Sequence, residues 1–401
     1  MPSRIMGKLV FRDFQQSFHF SKNSIALRND KHYHIVVNDN VYQRVIIFMM
    51  TFRNENLSKL KFPMEIVRLI AEINQYKGRQ DLFRQQSPQV LDALKQTAVI
   101  QSTEASNAIE GITIKADRLK QLMAEKTSPK DRSEGEIAGY RDVLATIHAS
   151  NKDISITPNV LRQLHRDLYK FSSIPGGNWK PADNAITEVS GDGEKLIRFR
   201  TVPAYLTPEA MEEFCKAFND EFEAQKIDPL ILTGTFILDF LCIHPFFDGN
   251  GRMSRLLTLL LLYKFDYEVG RYISIEKLIE KSKESYYDTL QNSSLSWHEG
   301  KHDIMPWLEY FLGIILAAYR DFADRVGNIT NYKGSKSDRI EDAIKHFLGD
   351  FTISDIEKAC PDISRPTIYR VLKELKGKGY IKPIEVGRNA KWKKENISSF
   401  E

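Results

Sequence analysis

Two strongly apolar helical stretches, residues 231–243 and 253–267, stand close together in the chain, joined by a short polar loop. A helix that is apolar on all sides has to be buried on all sides, so this pair dictates a helical core and places the loop between two buried helices. With 401 residues the chain exceeds the usual single domain, and two or three domains are expected. Forty-two per cent apolar and 27% charged residues are ordinary globular values, and a net charge of +4 is too small to name a partner by itself. Cys215, Cys242 and Cys360 each stand alone in apolar or helical surroundings, which suits reduced thiols rather than a disulfide framework or a zinc knuckle. The run 45–50 is far shorter than the roughly 20 apolar residues that span a bilayer, so a cytoplasmic location and no membrane partner are expected.

The loop and the start of the second helix read HPFFDGNGRMSR at 244–255. Gly249 and Gly251 flank Asn250 and let the backbone approach a ligand closely at a helix N-terminus, where free N–H groups and the helix dipole attract phosphate oxygens. Arg252 and Arg255, three residues apart, each offer a guanidinium that can grip phosphate through two hydrogen bonds. Asp248 supplies the hard oxygen that a nucleotide-bound Mg2+ requires. His244 is the one nearby base that titrates near neutrality. Singly, each has a bland reading, such as a capping His before Pro or a Gly-Asn-Gly connector. Within twelve residues they form a base, a metal carboxylate, an anion cradle and two phosphate readers.

This segment resembles the Fic family signature, His-Pro-Phe-x-Asp/Glu-Gly-Asn-Gly-Arg-x-x-Arg, at every specified position. The resemblance implies a mainly α fold, a Fic-type helical bundle with a small β-hairpin flap, and transfer of AMP from ATP with Mg2+ to a Ser, Thr or Tyr hydroxyl of a target protein or of the chain itself. His244 would then take the proton from the target hydroxyl, Asp248 would hold magnesium, and Gly249, Asn250 and Gly251 would cradle the phosphates. Arg252 and Arg255 would hold the outer phosphates, and Phe246 would anchor the loop. The phosphorylating Doc branch has Ala-Asn-Lys-Arg where this chain has Gly249-Asn-Gly-Arg252, which disfavours kinase activity.

A second stretch, SNAIEG at 106–111, resembles the inhibitory motif Ser/Thr-x-x-x-Glu-Gly/Asn of many Fic proteins. Ser106 and Glu110 share a helix face, and a carboxylate paired with Arg255 would occupy the arginine that the γ-phosphate needs. In some family members the same glutamate helps to remove AMP, and the direction is left open here. The stretch containing Ala185, Ile186 and Thr187 resembles the flap strand that aligns a target peptide, and Tyr287, beside Tyr286, resembles a residue lining the adenine pocket. The bland alternatives are an ordinary loop and two packing tyrosines.

Five segments follow from the pattern. Residues 1–56 are an extension with a hairpin expected from 34–37 and 41–47. Residues 57–135 are helical and carry the inhibitory motif, with Ser87-Pro and Ser133 as helix starts. Residues 136–325 are the catalytic core, broken by a turn-rich region whose SGDG at 190–193 reads as a hairpin turn. Residues 326–337 are a linker, and 338–401 resemble a winged helix-turn-helix unit.

Between 361 and 395 lie ten Lys or Arg against four Asp or Glu. Arg365, Tyr369, Arg370 and Lys373, with Arg388 and Lys391 on the wing, suit DNA, but the same helix suits partner docking or a homodimer equally well. HEGKH at 298–302 fits a zinc-protease pattern, yet Gly300 and the preceding serines argue for a loop rather than the helix that pattern needs. Two function classes remain: an adenylyltransferase held back by Glu110, and a nucleotide-sensing DNA-binding regulator with little turnover, which would not need the base at His244.

Overall fold

The structure, a computed structural model, describes residues 25–29, 32–36, 51, 57, 60–86, 88–124, 127–189, 195–331, 336–347, 350–360, 363–384 and 390–395. Strands β1 (Ile25–Asn29) and β2 (His32–Val36) form an antiparallel hairpin in which Ile25 faces Val36. The expected hairpin paired 34–37 with a later partner. Here 32–36 pairs with an earlier segment across a two-residue connection, the commonest hairpin length; residues 37–50, including the expected partner 41–47, lie outside the described residues.

The bulk of the fold is helical. In chain order come α1 (Met64–Gln86), α2 (Pro88–Ile109), α3 (Ala116–Met123), α4 (Arg132–Ser150) and α5 (Pro158–Leu168). The hairpin β3 (Ala185–Val189) and β4 (Lys195–Arg200) follows, then α6 (Thr207–Ala224), α7 (Pro229–Ile243) and α8 (Asn250–Lys264). After these come α9 (Ile275–Lys281), α10 (Lys283–Ser294) and the long α11 (Met305–Asn331).

Helix α7 is buried from Leu230 to Ile243 without a break, and α8 nearly so, as their all-round apolarity demands. The two pack on each other, α4 packs on both α2 and α8, and α11 runs against α1 and α7. One continuous hydrophobic cluster takes in Leu57, Ile73, Ile109, Phe240, Leu260 and Val326. The division expected at 135/136 therefore falls inside α4, and the two segments share one core. Helix α4 opens at Asp131, whose carboxylate accepts from the Glu134 amide at 2.9 Å. Asp is among the best N-caps and takes that place ahead of the expected Ser133. The β3–β4 hairpin stands where the turn-rich break was read, with a bulge between Ile186 and Thr187; its turn, 190–194, lies outside the described residues.

Helix α11 runs into the expected linker as far as Asn331. Beyond it lie α12 (Lys336–His346), β5 (Phe351–Thr352), α13 (Ile353–Ala359), α14 (Arg365–Gly377), β6 (Ile381–Pro383) and β7 (Lys391–Lys394). The three strands form a sheet in the order β5-β7-β6, all antiparallel. This unit has a core of its own, built on Ile340, Phe351, Ile356, Ile368, Leu372 and Ile381. The strand before α13 was not expected from the sequence because it is only two residues long. Thr352 caps α13 in a reciprocal box with Asp355. Among the described residues no helix is long and apolar enough to cross a membrane.

Candidate active site

Helix α7 stops at His244 because Pro245 disfavours a helical residue before it. His244 adopts the left-handed conformation, φ 52° and ψ 61°, while its amide still closes the helix on the Phe240 carbonyl at 2.9 Å. Its Nδ1 lies 3.2 Å from the Leu241 carbonyl. A carbonyl only accepts, so Nδ1 carries the proton and Nε2 keeps its lone pair. Burial lowers the imidazole pKa to about 4, against the Leu241 hydrogen bond, which raises it; the positive charge of Lys180 adds to the lowering. At neutral pH the ring is therefore an uncharged base.

The loop is held from three sides. Phe246 is fully buried and stacks face to face on His165, centroids 3.7 Å apart and planes 2° from parallel. The Gly177 amide donates to Nδ1 of His165 at 2.8 Å, so Nε2 of that ring donates to the Asp248 carbonyl at 3.0 Å. Asn250 closes the loop on itself, accepting from the Phe246 amide at 3.0 Å and donating to the Phe246 carbonyl at 2.8 Å. Gly249 sits at φ 80°, and a methyl group there would strike the Tyr169 ring, so both conformation and space demand glycine. Helix α8 opens at Asn250, two residues before the expected Arg252, which puts Asn250 and Gly251 in its first turn. Asp248 stays half in solvent; one carboxylate oxygen accepts from the Gly249 amide at 2.7 Å and the other meets Arg132 at 3.2 Å.

The two arginines differ in role. Arg252 is almost wholly buried, 2.7 Å from the Glu136 carboxylate and 2.8 Å from the Tyr169 hydroxyl, with its guanidinium over the Tyr169 ring. Arg255 donates from Nε to Ser106 Oγ at 2.8 Å, and from Nη2 to the Ser106 carbonyl at 2.9 Å and to Glu110 Oε1 at 2.7 Å. Among the described residues its buried Nη1 meets no hydrogen-bond acceptor. The Glu110 carboxylate also lies against Gly251, so that a methyl group on that residue would overlap it. Glu110 is thus an anion seated at the N-terminus of α8 and gripped by Arg255, raising the guanidinium pKa against the lowering effect of burial.

Tyr287 is partly exposed beside Tyr286, ring centroids 5.2 Å apart, and its pKa is pushed up by burial and then by the charge of Glu110. Ala185 and Ile186 are half-buried in β3 and Thr187 is exposed. Asn184, at the base of that strand, donates to the Phe246 carbonyl at 3.2 Å. The buried Lys180 ties the same base to the end of α7, donating to Asn184 Oδ1 at 3.0 Å, Thr201 Oγ1 at 2.8 Å and the Ile243 carbonyl at 3.0 Å. Its pKa is lowered to about 8 by burial.

The remaining expected residues lie in the C-terminal unit: Tyr369, Arg370 and Lys373 are exposed on α14, and Arg365 pairs with Glu357 at 2.9 Å. Arg388 falls outside the described residues. His298 and His302 are not on one helical turn. His298 meets the Arg200 carbonyl and His302 meets Thr51 Oγ1, and a three-residue 3-10 turn spans Trp297–Glu299. His165, Glu136, Tyr169, Arg132 and Lys180 carry no motif, and only the fold reveals their part.

Fold and site define a mainly α protein in which a neutral imidazole stands at the head of an anion-binding helix N-terminus. Residues 155–262 match the Fic/DOC family. A protein adenylyltransferase Fic of Nematostella vectensis is 25% identical over 176 residues, 42% of this chain and 38% of that protein. This chain therefore spans less than half the length of that relative. Among solved structures, a Fic family protein from Desulfovibrio desulfuricans superposes with a TM-score of 0.54 at 21% identity, covering 84% of this chain and 98% of that one. A Fic domain containing signaling protein from Bacteroides thetaiotaomicron gives 0.55 at 20% identity, covering 64% and 97%. Residues 155–262 are thus similar to the Fic/DOC family, and the helical architecture with few short strands is that of these neighbours.

Proposed function

We propose that this chain is a protein adenylyltransferase that moves AMP from ATP to a Ser, Thr or Tyr hydroxyl of a target protein or of itself. One observation carries the reading: the Glu110 carboxylate sits on Gly251 and Arg255, at the start of the helix that His244 precedes. A seat that holds a carboxylate at a helix N-terminus under a guanidinium suits a phosphoryl group. Neutral His244, with Nε2 free, takes the proton as the target oxygen attacks the α-phosphorus; the bond from that phosphorus to the bridging oxygen breaks and pyrophosphate leaves. The amides at Gly249 to Gly251 and Arg255 offset the charge gathering on the leaving group. Asn250 contributes through its amide, since its side chain is spent on the loop, and Arg252 shapes the seat from below.

Magnesium fits the donor set. Asp248 offers one half-exposed carboxylate, and among the described residues no group of three His, Cys, Asp or Glu could hold a metal unaided. That suits an ion that arrives with the nucleotide and keeps phosphate and water ligands. When bound it would neutralise phosphate charge.

Glu110 in this reading is a brake, because Arg255 cannot serve both the carboxylate and a γ-phosphate. The same carboxylate could activate a water to remove AMP, which keeps the reverse reaction in view. The outer edge of β3 can align a target strand by backbone pairing, and Tyr287 can flank the adenine. The C-terminal unit, three helices and a three-stranded sheet, is read here as a winged helix, and its exposed Tyr369, Arg370 and Lys373 support duplex DNA as the proposed ligand. Incubation with α-labelled ATP tests the proposal: covalent label on protein that disappears in His244→Ala is expected, whereas reversible binding alone would favour a nucleotide-sensing regulator.

A further inference from the structure

His244 keeps a left-handed backbone, φ 52°, which a residue with a Cβ holds only when its surroundings impose it. The restraint comes from Lys180, which lies between α5 and β3 and is 3% exposed. Its amide donates to the Pro245 carbonyl at 2.9 Å, and its ammonium donates to the Ile243 carbonyl at 3.0 Å. One residue thus grips the main chain on both sides of His244.

The rest of the ammonium is spent on the foot of the β3–β4 hairpin. It donates to Asn184 Oδ1 at 3.0 Å and to Thr201 Oγ1 at 2.8 Å, so its three protons meet three acceptors and the head group is fixed. With Oδ1 turned to the cation, the other end of the Asn184 amide donates to the Phe246 carbonyl at 3.2 Å. Thr201 has its own proton left for Asn184, whose backbone carbonyl lies at 2.9 Å. The carbonyls of Ile243, Pro245 and Phe246 are therefore all held by Lys180 and Asn184. Both feet of the hairpin, Asn184 before β3 and Thr201 after β4, meet at the same ammonium. Burying a cation is costly unless every donor is met, and a satisfied cluster imposes one geometry.

We infer that Lys180 is a positioning residue for His244: it imposes the backbone that aims the imidazole, and it fixes that base in register with the hairpin on which a target strand would lie. The inference rests on the proposed roles of His244 as base and of β3 as the target dock. The bonds of the Lys180 side chain go to Asn184, Thr201 and Ile243, away from Arg252, Arg255 and the amides at 249–251. Its effect therefore belongs to the chemical step rather than to nucleotide binding.

Lys180→Met in a Glu110→Gly background tests this, since methionine fills a similar space without charge or donors. The rate of self-labelling at saturating ATP should fall by about 10- to 100-fold, the scale of a base displaced by about 1 Å, while affinity for a non-hydrolysable ATP analogue stays within about twofold. An unchanged rate, or equal losses of rate and affinity, overturns the inference, the second because it marks a merely structural lysine. Thr201→Val keeps the lysine and removes one of its acceptors, and should lower the rate by about two- to tenfold with affinity again unchanged. A full rate in that variant overturns the register between base and hairpin. An independent arm needs no nucleotide: amides of residues 244–250 should exchange with water at least several-fold faster in Lys180→Met, while those of α11 keep the parental rates. Unchanged exchange in the loop, or the same acceleration in α11, overturns the clamp. A Glu110→Gly parent that shows no self-labelling would instead contradict AMP transfer, and the exchange rates would still decide the clamp.

Discussion

Arg255 and Glu110 stand 145 residues apart in sequence and 2.7 Å apart in space, the guanidinium buried and the carboxylate one-third exposed. This contact joins the end of α2 to the start of α8. It puts a negative charge where the helix dipole and the guanidinium both favour one.

Replacement of Glu110 by Gly should therefore free the seat. Hydrogen bonds to a charged group contribute about 1.5–3 kcal/mol and tenfold in affinity corresponds to about 1.4 kcal/mol, so ATP affinity and self-labelling should rise about tenfold or more. Glu110→Gln, which keeps a polar contact without the charge, should fall between. Calorimetric titration with ATP and labelled-ATP incubation check this; equal values in mutant and parent would remove the brake.

His165 holds the loop rather than the substrate. His165→Phe keeps the stack on Phe246 but deprives the Gly177 amide and the Asp248 carbonyl of their partner. Displacement of a reacting group by about 1 Å can cost up to roughly a hundredfold, so AMP transfer should drop by about ten- to a hundredfold while helical content by circular dichroism stays. Full activity in this variant would show that the loop needs no such support.

Four imidazoles are neutral, His165 buried and His148, His244 and His302 partly buried: each has a pKa lowered to about 4, with desolvation the largest cause. The unfolded chain, whose histidines titrate near pH 6.5, binds more protons between about pH 6.5 and 4, so stability is complete above that window and falls as pH drops through it. Thermal unfolding should begin several degrees lower at about pH 5 than at about pH 7. The acid limb of AMP transfer should lie below the ordinary imidazole range, because His244 stays deprotonated there. A midpoint near 6.5 would mean that the ring is solvated.

The C-terminal unit should retard random duplex DNA in a salt-dependent manner, since phosphate contacts release counterions. Arg370→Glu in the full chain reverses one charge on the exposed face of α14 and should abolish the shift. A salt-independent shift, or none in the parent chain, would favour protein docking.

How much of this was legible in the sequence depended on whether residues are neighbours in the chain. His244, Asp248, Gly249, Gly251 and Arg255 form one contiguous signature, and two all-apolar helices announced the buried junction around them. Ser106 and Glu110 were legible by their spacing. The separate fate of Arg252 was not, because Glu136 and Tyr169 reach it from other helices. Asn250 looked like a ligand residue by its place between glycines, yet its amide group fits the Phe246 backbone. His165 and Lys180 lie in ordinary helix and turn sequence and gain meaning only when α5 and the hairpin base meet the loop.

The most direct measurement compares two labels in the Glu110→Gly protein. Incubated with ATP carrying label at the α-phosphate, the chain or an added target should gain covalent label, and ATP carrying label at the γ-phosphate should leave none. His244→Ala in the same background should abolish the α-label. Label from the γ-phosphate, or α-label that survives loss of the imidazole, would contradict AMP transfer by this site.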